Sequence, residues 1–68
     1  MPLLQITLIE GRAADVKEQL IAALTQTVVD VADVNPESVR VILHEVPAAH
    51  WGAGGISKKL QSEQERSQ

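Results

Sequence analysis

The chain has no cysteine, no tyrosine and no phenylalanine, and Trp51 is its one aromatic residue. Without cysteine there is neither a disulfide nor a thiolate site. Basic residues are also scarce, six against nine acidic ones, for a net charge of −3. The only basic cluster is Lys58-Lys59, which is no nucleic-acid footprint, so no nucleic-acid partner is expected. Long apolar runs are missing too. The stretch Leu3 to Ile9 is broken by Gln5 and Thr7. It is too short for a membrane span and lacks a basic leader, so no membrane partner is expected and cytoplasm is the expected location.

Aliphatic residues are abundant. Of 68 residues, 44% are hydrophobic, more than one small core can hide, and no disulfide or metal staples the chain. Residues 1–68 are expected to form one domain. A scaffold of this kind gains stability by oligomerising, so a homo-oligomer is expected on physical grounds alone.

Leu3 to Ile9 reads as a strand ending at Glu10-Gly11. Leu4, Ile6 and Leu8 point one way, and Leu3, Gln5, Thr7 and Ile9 the other. Both faces carry apolar groups, as in a strand covered on both sides. A helix follows from about Ala14 to Val31. Val16, Leu20, Leu24 and Val28 recur every fourth residue, with Ala23, Thr27 and Val31 expected to widen the stripe. Ala13 is a poor cap, partly offset by Asp15 and Glu18 near the positive end of the helix dipole. Pro36 marks the stop, Pro36-Glu37-Ser38 a turn, and Val39 to Val46 a second strand. Strand, helix and strand form a βαβ unit, whose crossover makes the strands parallel. Beyond Pro47, Gly52-Ala53-Gly54-Gly55 predicts a tight hairpin. The polar chain from Ser57 onward predicts a short helical turn or fraying. The fold class is therefore α/β (α+β): a short βαβ unit with parallel strands and a C-terminal hairpin, its sheet extended by dimerisation.

Candidate chemistry begins at Met1-Pro2. Proline is small enough to permit removal of Met1, which turns the Pro2 nitrogen from an amide into a secondary amine and hence a base. Arg12 follows the first strand and Arg40 opens the second. A parallel pair puts them at opposite ends of the sheet, so they can meet only across subunits. Two guanidinium forks near one amine suit a small dicarboxylate or 2-oxo acid; both residues also read as solvated surface arginines. Trp51, beside the glycine-rich turn, marks either a pocket or an interface, or is the packing anchor of the hairpin. His44 and His50 match no zinc spacing, and Ser38 has no His-Asp pair to activate it. Glu45 is either an acid–base group or a solvated strand-end carboxylate.

Together, Met1-Pro2, Gln5-Ile6, Glu10-Gly11-Arg12, Ser38-Val39-Arg40-Val41-Ile42 and His50-Trp51-Gly52-Ala53-Gly54-Gly55 resemble the 4-oxalocrotonate tautomerase family of the tautomerase superfamily. The resemblance covers about residues 2 to 60. It implies an isomerase for 2-hydroxymuconate or a similar enol of a 2-oxo acid, with processed Pro2 as the base. Arg40 is then expected on the 2-oxygen and adjacent carboxylate, and Arg12 on the distal carboxylate. Trp51 takes the place where the family commonly has Phe, and Ser38 joins the substrate-binding set. The resemblance further implies a homohexamer, a trimer of dimers with sites shared between subunits, and neither metal nor organic cofactor. Two rival expectations are a hydratase or dehalogenase of unsaturated acids, for which Glu45 is the one candidate to activate water, and a non-catalytic oligomer that keeps Met1.

Overall fold

Branched and alternating residues at both ends of the βαβ unit form the two strands foreseen. In the computed structural model, which describes residues 1–66, β1 spans Leu3–Ile9 and β2 spans Arg40–Val46. They pair in parallel, with Leu3 beside Arg40 and Ile9 beside Val46. The ladder continues one step beyond each end: Arg40 N–H donates to the Pro2 carbonyl at 2.9 Å and Glu10 N–H to the Val46 carbonyl at 2.8 Å. Aligned residues of a parallel pair share a face. Leu4, Ile6, Leu8, Val41 and Leu43 are half-buried, while Leu3, Gln5, Thr7, Arg40, Ile42 and His44 on the opposite face are exposed.

The crossover helix α1, Ala14–Ala32, covers the half-buried face. Of the four-residue repeat, Leu20, Leu24 and Val28 are half-buried as expected, while Val16 at the helix start is exposed. The expected widening by Ala23, Thr27 and Val31 does not occur; all three are exposed, Val31 by 83%. The stripe widens instead toward Thr25, Val29 and Lys17. The Lys17 ammonium donates to Glu45 Oε1 of β2 at 2.8 Å, which ties that flank of the helix to the sheet. Periodicity identifies a stripe but not which of its two flanks meets the sheet.

Ala13 is extended at the helix start (φ −66°, ψ 154°) and offers no side-chain cap. At the other end Asp33 turns left-handed (φ 55°) and donates its N–H to the Val29 carbonyl at 3.1 Å. Ala13→Ser is expected to raise stability by about 1 kcal/mol, because its hydroxyl can accept a free first-turn N–H. Denaturant unfolding at fixed protein concentration checks this.

After Pro47 a 3₁₀ turn, Ala48–His50, leads to the hairpin β3 (Gly52–Ala53) and β4 (Ile56–Ser57). Its two-residue loop, Gly54-Gly55, has φ of 63° and 85°, the signature of a type I′ turn that side chains resist. The chain then forms α2, Lys58–Arg66, in place of the short turn or fraying expected. Ser57 Oγ accepts the Leu60 N–H at 3.1 Å and supplies the cap. The part of that expectation falling on 67–68 lies outside the described residues.

Little is covered by the chain itself. Among the described residues only Val39 is buried, with 8% of it exposed. The radius of gyration is 15.9 Å and the extents 50 × 24 × 16 Å. A compact chain of 68 residues has a radius of about 11 Å. Leu3 and Ile42 on the sheet, and Val16, Ile21 and Val31 on α1, remain exposed. Among the described residues no helix is long and apolar enough to cross a membrane.

Candidate active site

The parallel register divides the candidate residues between two ends of the sheet. Pro2, half-buried, lies at the end where β1 begins, and Arg40 is bonded to it through the 2.9 Å ladder contact. The same end carries the turn Pro36–Ser38. Asn35 Oδ1 accepts the Glu37 N–H at 3.1 Å, and Ser38 Oγ donates to the Asn35 carbonyl at 2.7 Å. This turn presents carbonyls to Arg40, whose Nη1 donates to Glu37 O and to Val39 O. The guanidinium is thereby steadied by one nitrogen. The rest of its donor fork has no protein partner among the described residues.

Arg12 and Trp51 belong to the other end. Gly11, with φ of 124°, turns the chain out of β1, and Arg12 Nη1 folds back to the Ile9 carbonyl at 3.0 Å. Near it lies an open concavity of about 270 Å³ lined by Ile9, Trp51, Ala53, Ile56, Lys58 and Gln61. Trp51 is held there by backbone contacts on both sides. Its N–H donates to the Ala48 carbonyl at 3.3 Å, and its carbonyl accepts the Lys58 N–H at 2.7 Å. Strands of seven residues separate the two ends by roughly 20 Å. One copy therefore groups Pro2, Ser38 and Arg40, and separately Arg12 and Trp51, but does not join the groups.

Glu45 is engaged elsewhere. Its ion pair with Lys17, on the helix-covered face of β2, is the one salt bridge among the described residues. That leaves it poorly disposed to activate water, as the hydratase alternative requires. Among the described residues no group of three or more His, Asp or Glu is arranged to hold a metal. Sequence reasoning missed Ile9, Ala53, Ile56, Lys58 and Gln61 as a cavity lining. The available signal was the glycine pair that folds the hairpin back, followed by Ser57 as a cap.

A parallel βαβ unit carrying a glycine hairpin defines a small α+β fold, with the candidate arginines at opposite sheet ends. The model of the tautomerase family, described as tautomerase enzyme, matches residues 2–61, and the chain belongs to that family. Within it, the chain is 53% identical over 66 residues to a probable tautomerase of Ralstonia nicotianae, covering 97% of this chain and 94% of the relative. It is 37% identical over 59 residues to the 2-hydroxymuconate tautomerase of Comamonas testosteroni, covering 87% and 94%. Among solved structures, the heterohexamer 4-oxalocrotonate tautomerase of Chloroflexus aurantiacus superposes with a TM-score of 0.84 at 44% identity, covering 87% of this chain and 95% of that one. Membership makes the chain an isomerase of the tautomerase type.

Proposed function

We propose that this chain catalyses enol-to-keto proton transfer on 2-hydroxymuconate or a closely related 2-oxo acid enol, with Pro2, freed by removal of Met1, as the base. The observation that carries this reading is the ladder bond of 2.9 Å that fixes Pro2 beside Arg40. A base and an oxyanion-binding fork then stand at one sheet end. The family match also opens on Pro2.

The uncharged Pro2 amine takes the proton from the 2-hydroxyl of the dienol and delivers it to carbon farther along the conjugated chain. Electron density moves from oxygen into the chain as the carbonyl forms. Arg40 stabilises the oxyanion that develops between the two transfers, and holds the adjacent carboxylate. The hydroxyl proton of Ser38 is given to Asn35, so Ser38 has an acceptor lone pair to offer. That suits the substrate 2-hydroxyl better than a carboxylate. Arg12 binds the distal carboxylate, and Trp51 walls the site and lowers its dielectric.

These roles need both sheet ends near one substrate, which a second copy supplies. The exposed apolar groups, the elongated shape and the hexameric assembly of the Chloroflexus aurantiacus relative support a homohexamer with sites between copies.

An ultraviolet ketonisation assay on protein whose intact mass lacks Met1 tests the function. Turnover of 2-hydroxymuconate is expected. Loss of a charged hydrogen bond in Arg12→Ala is expected to raise KM for this diacid by roughly 10- to 100-fold with a small change in kcat. No turnover by the trimmed protein with any 2-oxo acid enol contradicts the reading.

A further inference from the structure

We infer that Asn35 is a positioning residue, whose side chain holds the Glu37 carbonyl where it can fix the Arg40 guanidinium. The inference rests on the function proposed above and adds to it a residue that touches no substrate and acts through Arg40.

Arg40 is exposed, and a long side chain on a surface samples many rotamers unless something holds it. Here its Nη1 donates to two carbonyls, those of Glu37 and Val39. With Nη1 committed, the Nε–Nη2 edge is left whole to meet a carboxylate or an oxyanion.

The two carbonyls are secured differently. Val39 is buried, so packing steadies its backbone. Glu37 is exposed, and its carbonyl keeps its direction through the turn Pro36–Ser38 alone. A three-residue turn makes few bonds of its own. Asn35 closes it twice. Its carbonyl accepts the Ser38 N–H at 2.9 Å, and its Oδ1 accepts the Glu37 N–H at 3.1 Å. Pro36 supplies the first residue, with φ preset and no N–H to satisfy. The Oδ1 contact at the amide end of Glu37 therefore helps to aim the carbonyl at its other end. Alanine at position 35 would leave the backbone bond and remove only this side-chain contact. The Ser38 hydroxyl would keep its acceptor too, the Asn35 carbonyl at 2.7 Å. The effect of the side chain is thus confined to Glu37 and, through it, to Arg40.

The test combines kinetics on 2-hydroxymuconate with side-chain nitrogen NMR of protein carrying isotopically labelled arginine. Asn35→Ala is expected to lower kcat about tenfold, with a smaller change in KM, because a small misplacement of a reacting-site group costs up to about 100-fold. Asn35→Ser, with another capping oxygen, is expected to keep about half or more of the wild-type kcat. In the Arg40→Ala background, Asn35→Ala is expected to cost less than about twofold, where a role independent of Arg40 would again cost about tenfold. The Arg40 Nη signals, assigned by their absence in Arg40→Lys, are expected to be resolved by hindered rotation in wild type and Asn35→Ser, and averaged in Asn35→Ala. The role of Asn35 is overturned by a wild-type kcat in Asn35→Ala, by failure of Asn35→Ser to restore it, by an undiminished loss in the Arg40→Ala background, or by Arg40 signals that Asn35→Ala leaves unchanged. Absence of turnover in the wild type, with Arg40 rotation still freed by Asn35→Ala, overturns the proposed reaction and leaves the hold on Arg40 standing.

Discussion

A chain carrying an N-terminal extension that cannot be trimmed, such as Gly-Ser ahead of Met1, is expected to lose about a thousandfold in kcat/KM while it folds and assembles normally. General-base groups contribute roughly 100- to 10,000-fold, and an amide nitrogen has no useful basicity with which to supply it. The fold should tolerate the extension. Met1 is 86% exposed on the single chain, so the protomer itself has room ahead of Pro2. The ladder uses the carbonyl of Pro2, not its nitrogen, to pair with Arg40. Proline has no N–H for the extension to displace. Intact mass, size-exclusion and the ketonisation assay measure all three consequences. The pH profile of the trimmed protein gives an independent check. Activity should fall as pH is lowered, because the base becomes protonated.

Arg40→Ala is expected to lower kcat by at least about 100-fold, with a smaller change in KM. Removing one preorganised donor to a developing oxyanion commonly costs about 3 to 4 kcal/mol of transition-state stabilisation. Arg40→Lys should recover only part of this, since an ammonium cannot reproduce the two-pronged contact. The same change removes side-chain hydrogen bonds to the Glu37 and Val39 carbonyls. The first is exposed and the second part-buried, so the loss in folding stability should be about 1 to 2 kcal/mol. Unfolding curves alongside kinetics separate the two effects. A variant that unfolds like wild type and turns over like wild type removes Arg40 from the mechanism.

The strands and the crossover helix were legible because each carries a period that only one element satisfies. Leu4, Ile6 and Leu8 alternate, while Leu20, Leu24 and Val28 recur every fourth residue. Parallel pairing then follows from chain order, and with it the separation of Arg12 from Arg40. The flank by which α1 meets the sheet was not legible, since Val31 and Val29 are equally apolar and only packing distinguishes them. Nor was α2, whose sequence Lys58–Arg66 holds the single apolar residue Leu60 and so shows no stripe. Its definition comes from the Ser57 cap and from its place against the hairpin and the turn before it. The cavity lining escaped for the same reason: Ile9 and Lys58 are far apart in sequence and come together only once Gly54-Gly55 folds the chain back.

Most of the candidate site was readable as residue types. Its division between two sheet ends became a physical statement only with the register Leu3 beside Arg40 and Ile9 beside Val46. A chain that is 44% hydrophobic yet buries only Val39 among the described residues leaves apolar surface that an oligomer would cover. On the proposed function, separating the candidate residues and exposing apolar surface are two aspects of one arrangement, in which assembly would both stabilise the chain and complete the site.

That arrangement is tested most directly by complementation. Arg12→Ala and Arg40→Ala chains, each poor at low substrate concentration, are mixed in equal amounts, unfolded and refolded together. If one site draws Arg12 and Arg40 from different copies, about a quarter of the sites in the mixed oligomer hold both arginines, and kcat/KM should recover to about a quarter of the wild-type value. Activity no higher than the mean of the two parents, in oligomers shown by mass to be mixed, would contradict a site shared between copies.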